Sequence, residues 1–202
     1  MAKVIILNAP PRSGKDTIQT LILQQYNTLP GIFKRSMFSI AAAILGESTY
    51  QEFMRIYETD EKDTRKLDML GGMTCREFMI WISEDVIKPK FGKKHFGLLA
   101  AEHFDDIVEE GDINTVIVSD GGFPDEVEAL IDHGHQVVLV RMWREGFDFS
   151  KDSRDYIYLT GEYAEKAQQF DIHLIHGAPQ DAVCKIALLA GLRDDWNDDI
   201  PW

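Results

Sequence analysis

Cysteine is nearly missing from this chain. Cys75 and Cys184 are the only two among 202 residues. They stand far apart with no metal-ligand spacing around either, which excludes a disulfide scaffold and a thiolate zinc site and points to a reducing compartment. Long apolar runs are missing too. The opening MAKVIILNAP holds an apolar stretch shorter than a signal-peptide core, and nothing approaches the roughly 20 apolar residues of a membrane-spanning helix. A cytoplasmic protein with no membrane partner is expected, in the host cytoplasm if the chain is viral. Positive charge is scarce: 21 Lys and Arg face 34 Asp and Glu, a net charge of −13. Such a surface repels polyanions at long range and excludes general coating of nucleic acid, yet a few convergent cations in a cleft can still hold one phosphorylated ligand. No internal repeat is visible.

What remains is an ordinary globular balance, 45% hydrophobic and 27% charged, long enough for one sizeable core in a single domain over residues 1–202. Val4-Ile5-Ile6-Leu7 reads as a strand buried on both faces. Ile18, Leu21 and Ile22 then recur at helical spacing between Gly14 and Tyr26. Further strands are expected over Ser36–Ser39, Thr115–Asp120, Gln136–Met142 and Asp171–His176. Helices are expected over Phe123–His133, Glu162–Phe170 and Asp181–Ala190. Alternating strands and helices imply parallel pairing through right-handed crossovers, hence an α/β three-layer fold with a parallel sheet of about five strands. Residues 40–110 instead show only helical patterns, including a Thr74-Cys75-Arg76-Glu77 capping box, and suggest an acceptor-binding lobe inserted in the sheet order. Asp194, Asp195, Asp198 and Asp199 make the last residues an acidic tail.

The most informative segment is Asn8-Ala9-Pro10-Pro11-Arg12-Ser13-Gly14-Lys15-Asp16-Thr17, directly between the first strand and the first helix. Backbone N–H groups of such a loop converge on an anion, Gly14 permits close approach, and Lys15 reaches the β and γ phosphates. Arg12, Ser13, Gly14, Lys15, Asp16 and Thr17 are therefore the candidate nucleotide-binding residues. Ala9 replaces the usual first Gly, and Asp16 stands where Ser or Thr is common, which leaves the hydroxyl on Thr17.

The spacing Ala9-x-Pro11-x-x-Gly14-Lys15-x-Thr17 resembles adenylate-kinase-like nucleoside monophosphate kinases, and Arg12-Ser13-Gly14-Lys15-Asp16-Thr17 is similar more specifically to bacteriophage deoxynucleoside monophosphate kinases. Arg76-Glu77-Phe78-Met79-x-Trp81 resembles the acceptor lobe of that family. Ser119-Asp120-x-x-Phe123-Pro124-Asp125-Glu126 resembles its Asp-x-Arg-Phe-Pro-Asn-Glu segment, and Asp152-Ser153 after Arg144 resembles its lid, here about residues 143–160. The resemblance implies a P-loop kinase fold using ATP and magnesium, with a deoxynucleotide acceptor. One departure stands out: Gly122, preceded by Gly121, occupies the position of the family's Arg. A glycine-lined, widened acceptor site would suit a related phage activity, phosphorylation of the hydroxymethyl group of 5-hydroxymethyluracil in DNA. A P-loop ATPase or a small-molecule kinase shares the loop.

Phosphoryl transfer requires positioning, magnesium and cations around the transferred group. Lys15 serves the donor. Asp120, at the carboxyl end of a strand, can hold magnesium through water or form a turn. Asp16 is either a magnesium partner, a general base for a hydroxyl acceptor, or a helix N-terminal carboxylate. Thr17, Asp16 and Asp120 are thus the magnesium candidates. Arg76 can clamp an acceptor phosphate or sit on a solvated helix face, and Trp81 can stack on a base or join the core. Arg144, flanked by Arg141 and Arg154, is the lid cation expected at the transferred phosphate. Lys88, Lys90, Lys93 and Lys94 form the dense basic patch, a track for DNA or an ordinary solvated helix end. The histidines His133, His135, His173 and His176 lack ligand spacing for zinc.

Overall fold

The computed structural model describes residues 1–150, 152 and 154–192; Ser153 and the acidic segment from Asp194 to Trp202 lie outside them. The architecture is α/β. Strands β1 (Lys3–Asn8), β2 (Leu29–Gly31), β3 (Thr115–Val118), β4 (Gln136–Trp143) and β5 (Gln168–His173) pair in the order β2-β3-β1-β4-β5, and every pairing is parallel. Helices cover both faces, which makes the three-layer α/β arrangement expected from the sequence.

The alternation in β1 shows how the layers form. Val4 and Ile6 pack with Val116, Val118, Val137 and Leu139 under helices α6 (His95–Gly111) and α7 (Pro124–His133). Ile5 and Leu7 pack with Ile117, Val138 and Val140 under α1 (Lys15–Gln25) and α9 (Pro179–Ala190). Each apolar residue of β1 is therefore fully buried, and each such burial contributes roughly 1.5–3 kcal/mol before entropy is counted. A strand with both faces covered needs no polar alternation.

Two expectations fail at the sheet edges. Ser36–Ser39 is not a strand; it lies in α2 (Arg35–Leu45), whose apolar Met37, Ile40, Ala41 and Ile44 have helical spacing. The second strand is instead Leu29–Gly31, a short edge strand bonded only to β3, where Pro30 is tolerated because one side of an edge needs no donor. The last strand starts three residues earlier than expected, at Gln168, and the helix before it, α8 (Gly161–Lys166), stops short of Phe170. The edge position explains the polar Gln168 and Gln169 that hid this strand.

The chain divides into two compact units, residues 1–33 with 97–202 and residues 34–96. The second contains α2, α3 (Glu47–Tyr57), α4 (Cys75–Trp81), π-helical turns over Ile82–Ile87 and α5 (Lys88–Phe91). The Thr74 capping box forms: Thr74 Oγ1 accepts from the Glu77 N–H at 3.1 Å, and the Glu77 carboxylate accepts from the Thr74 N–H at 2.8 Å. Phe53 centres the packing of this unit, with Phe78 edge-on at 5.8 Å and Tyr57 at 5.5 Å. Among the described residues no helix is long and apolar enough to cross a membrane.

His135, just before β4, is a core residue. Its Nδ1 accepts from the Ala2 N–H at 3.1 Å and its Nε2 donates to the Ala101 carbonyl at 3.0 Å. Asp105 approaches His133 at 2.9 Å beside it, a cluster that sequence spacing did not reveal. With both ring nitrogens of His135 already used, this trio is a hydrogen-bonded packing device.

Two measurements check this account. A Cβ on Gly31 would lie 2.6 Å from Val116 Cγ1 and 2.9 Å from Phe104 Cε1, so Gly31→Ala overpacks the β2 edge and lowers unfolding free energy by about 1–3 kcal/mol in urea melts. Burial holds the His135 pKa below its usual 6.5. As pH falls below about 6.5 the unfolded chain takes up a proton that the folded chain resists, so stability declines. His135→Gln, which can keep both hydrogen bonds without titrating, flattens that decline in urea midpoints measured between pH 7 and 5.

Candidate phosphate-binding site

The strand order reverses about β1, and ligands of open parallel sheets bind outside the carboxyl ends of strands at such a point. The segment leaving β1 there curls tightly. Ser13 donates to the Pro10 carbonyl through its N–H at 3.4 Å and its hydroxyl at 2.8 Å, and Lys15 Nζ lies 3.4 Å from the same oxygen. Ser13 and Lys15 are buried. Arg12 has φ +62° and Gly14 φ +106°, left-handed values that turn successive N–H groups inward. Gly14 is the N-cap of α1 and no side chain caps that helix, so its first-turn N–H groups are directed at the loop. For Gly14 it is backbone sign, not space, that requires glycine: a Cβ would make only an ordinary contact, 3.6 Å from Arg144 Nη1.

Asp16 is tied to the end of β3. Asp16 Oδ1 lies 2.8 Å from Ser119 Oγ, and Ser119 Oγ lies 2.7 Å from Gln19 Oε1. Gln19 in turn donates to the Ile117 carbonyl at 2.9 Å. One serine proton is thus shared between two acceptors, and α1 is tied to the end of β3. Asp120, the next residue, accepts the Phe33 N–H at 2.9 Å. Thr17 is exposed on the adjoining turn of α1.

Arg144, beyond β4, folds onto the phosphate loop. Its Nη1 donates to the Ser13 carbonyl at 2.9 Å, its Nη2 donates to His176 Nδ1 at 2.7 Å, and the guanidinium lies 4.6 Å from the centre of the Phe147 ring. A cleft of about 150 Å³ opens there, with Ser13, Gly14, Thr17 and Arg144 on its polar side and Ile18, Leu174, Ile175 and Pro179 on its apolar side. Its apolar side thus lies next to the amides of the turn.

The other two arginines around the expected lid are committed elsewhere. Arg141 is buried and forms a paired ion bridge with Asp171, at 2.9 and 2.6 Å, while donating to the Ile157 carbonyl at 3.1 Å. That guanidinium holds the Asp171 pKa down to about 2. Arg154 pairs with Asp152 at 2.8 and 2.7 Å and lies across Gly122, where a Cβ would come within 2.2 Å of Arg154 Cδ. A Cβ on Gly121 would meet the Phe33 ring at 2.7 Å. The two glycines therefore do not widen a pocket; a ring and an arginine stem fill the space they leave.

Arg76 and Trp81 belong to the second unit and are described within it. Arg76 is bound to Asp63 through Nε, and Trp81 is half-buried, stacked on Phe78 at 5.8 Å. In the first unit the loop residues Arg12–Thr17 meet Ser119, the neighbour of Asp120, and Arg144. Sequence spacing missed Asn8, Gln19, Ser119 and His176. Asn8 had a legible signal, a lone amide closing an apolar strand. Its Oδ1 accepts from the Ile157 N–H at 2.9 Å and its Nδ2 donates to the Asp155 carbonyl at 3.3 Å, and the side chain is buried.

The fold and this loop together define a class, an α/β protein with a tight, left-handed turn between its central strand and the following helix. Comparison narrows that no further. No family model and no curated relative matches the chain. Among solved structures it is similar to the tunicamycin resistance protein of Deinococcus radiodurans, at 11% identity over 96% of this chain and 98% of that one, with a TM-score of 0.47.

Asn8→Ala leaves the buried Ile157 N–H without its acceptor. We expect a loss of about 1–3 kcal/mol in stability, together with faster amide exchange at Ile157 than at the core positions of β4, measured by hydrogen–deuterium exchange.

Proposed function

We propose that this chain is an ATP- and magnesium-dependent phosphotransferase whose acceptor is a deoxynucleotide. The observation that carries the reading is the phosphate loop itself: two consecutive-but-one left-handed residues, an uncapped helix start, a buried Lys15, and Arg144 bonded to the loop carbonyl of Ser13. Amides and Lys15 bind the polyphosphate, and the apolar cleft beside Ile18 and Leu174 receives the donor's ring. Arg144 adds positive charge where negative charge spreads over the transferred group.

The donor set suits magnesium, a hard cation that takes one or two carboxylates along with phosphate oxygens and water. Thr17, Asp16 and Asp120 are all oxygen donors, and the Asp16–Ser119 contact brings α1 to the residue next to Asp120. Bound there, magnesium would neutralise part of the phosphate charge. Asp16 then faces less repulsion from a triphosphate, and its hydrogen bond to Ser119 holds the carboxylate in place. An acceptor that already presents an anionic oxygen needs no base; a hydroxyl acceptor would hand its proton to Asp16.

The second unit, with Arg76 and Trp81, is the proposed acceptor lobe. The resemblance to phage deoxynucleoside monophosphate kinases supports a free deoxynucleotide. The polymer acceptor, hydroxymethyluracil in DNA, loses the glycine-lined opening that favoured it, because Phe33 and Arg154 fill that space.

Lys15→Ala removes the contact to phosphate and leaves the sheet intact, so transfer falls at least about 100-fold while the melting temperature stays close to wild type. Radiolabelled ATP offered with each deoxynucleoside monophosphate, with duplex DNA and with hydroxymethyluracil-containing DNA identifies the acceptor. Undiminished turnover in Lys15→Ala overturns the phosphotransfer reading; label entering only the modified polymer overturns the acceptor.

A further inference from the structure

Arg144 is anchored at two points. Its Nη1 donates to the Ser13 carbonyl at 2.9 Å, and its Nη2 lies 2.7 Å from His176 Nδ1. A guanidinium carries only donors, so the ring nitrogen facing it supplies a lone pair, and the proton of the neutral imidazole sits on Nε2. The contact is therefore chemically selective. An apolar side chain or a cation at position 176 could not make it.

The backbone places His176 there. It lies between β5 and α9, and the Leu174 N–H donates to the Trp143 carbonyl at 2.7 Å, so position 176 runs alongside Arg144 just past the paired strands. Gly177, with φ +77°, turns the chain before Pro179 opens α9. Leu174, Ile175, Gly177 and Ala178 line the cleft beside the phosphate loop together with Arg144, whereas His176 does not. Its ring thus reaches the cleft only through the guanidinium.

A long side chain that must be ordered when a ligand arrives weakens binding, and one already held does not. The other two arginines of this stretch are held by carboxylates, Arg141 by Asp171 and Arg154 by Asp152. A carbonyl and an imidazole hold Arg144 without bringing a negative charge to it.

We propose that His176 is a positioning residue for Arg144: through Nδ1 it keeps the guanidinium on the Ser13 carbonyl, so that a bound nucleotide meets this cation already in place. The proposal rests on the phosphotransfer reading and adds to it a residue that touches no ligand itself.

The test is titration calorimetry of magnesium–ATP, and of adenosine, which lacks phosphate, against wild type, His176→Ala, His176→Gln, Arg144→Ala and the double variant His176→Ala with Arg144→Ala. His176→Ala is expected to weaken magnesium–ATP about three- to tenfold and to leave adenosine unchanged. His176→Gln recovers most of the loss, because its Oε1 can accept from the guanidinium. Once Arg144 is alanine, His176→Ala changes the dissociation constant by less than about twofold, the mark of two residues acting as one. If His176→Ala does not fold, His176→Phe keeps a ring without the acceptor and gives the same readout. Unchanged magnesium–ATP binding in these position-176 variants overturns the proposal. So does an equal loss for adenosine, which marks a purely structural role, and so does a loss that persists in full in the Arg144→Ala background. Wild-type protein that does not bind magnesium–ATP overturns the phosphotransfer reading as well, whereas wild-type binding with unaffected variants removes His176 alone.

Discussion

The burial of β1 on both faces governs the rest of this molecule. Once Val4 and Ile6 face one layer and Ile5 and Leu7 the other, the strand cannot slip by one residue without exchanging those sets, although both faces would still find apolar partners. What holds its end is polar. Asn8 is the last residue of the strand, and its amide takes up both a donor and an acceptor of the segment at 155–157. The backbone must then leave the sheet at Ala9, and the six residues before α1 have no room to do so except by curling. The left-handed Arg12 and Gly14 are the consequence, and the inward amides follow from them.

An acidic chain can still build a site for anions, because field in a cleft depends on local charge. Three arginines from one stretch show three solutions to the same electrostatic problem. Arg141 is neutralised by Asp171 and supports the sheet edge. Arg144 donates to the Ser13 carbonyl and contacts His176, which places its guanidinium beside the loop. Arg154 is paired with the buried Asp152 and lies across Gly122. They come from one stretch of the chain; their partners set them apart.

Legibility in the sequence followed burial. The central strands were plain because residues covered on both faces must be apolar, and the α1 stripe was plain because one face of a helix meets the sheet. At the edges the signal weakened. Leu29–Gly31 is short and contains a proline that an edge accepts, and Gln168 and Gln169 stay polar where only one side is paired. The run Ser36–Ser39 is equally apolar as strand or helix, and its neighbours Ile40 and Ile44 decided for the helix. The Asp105–His133 contact joins α6 to α7 across 28 residues and has no local signature.

The amino-acid sequence by itself determined the alternation of the central strands with helices, the tight turn between β1 and α1 and the capping of α4, since each depends on residues within a few positions of one another. Only the tertiary structure decided which arginine meets the loop, that Ser119 bridges Asp16 to Gln19, and that Gly121 and Gly122 are filled by Phe33 and Arg154. Those contacts join residues from 32 to 131 positions apart, and a long-range contact is set by how helices and strands pack, which no short spacing records.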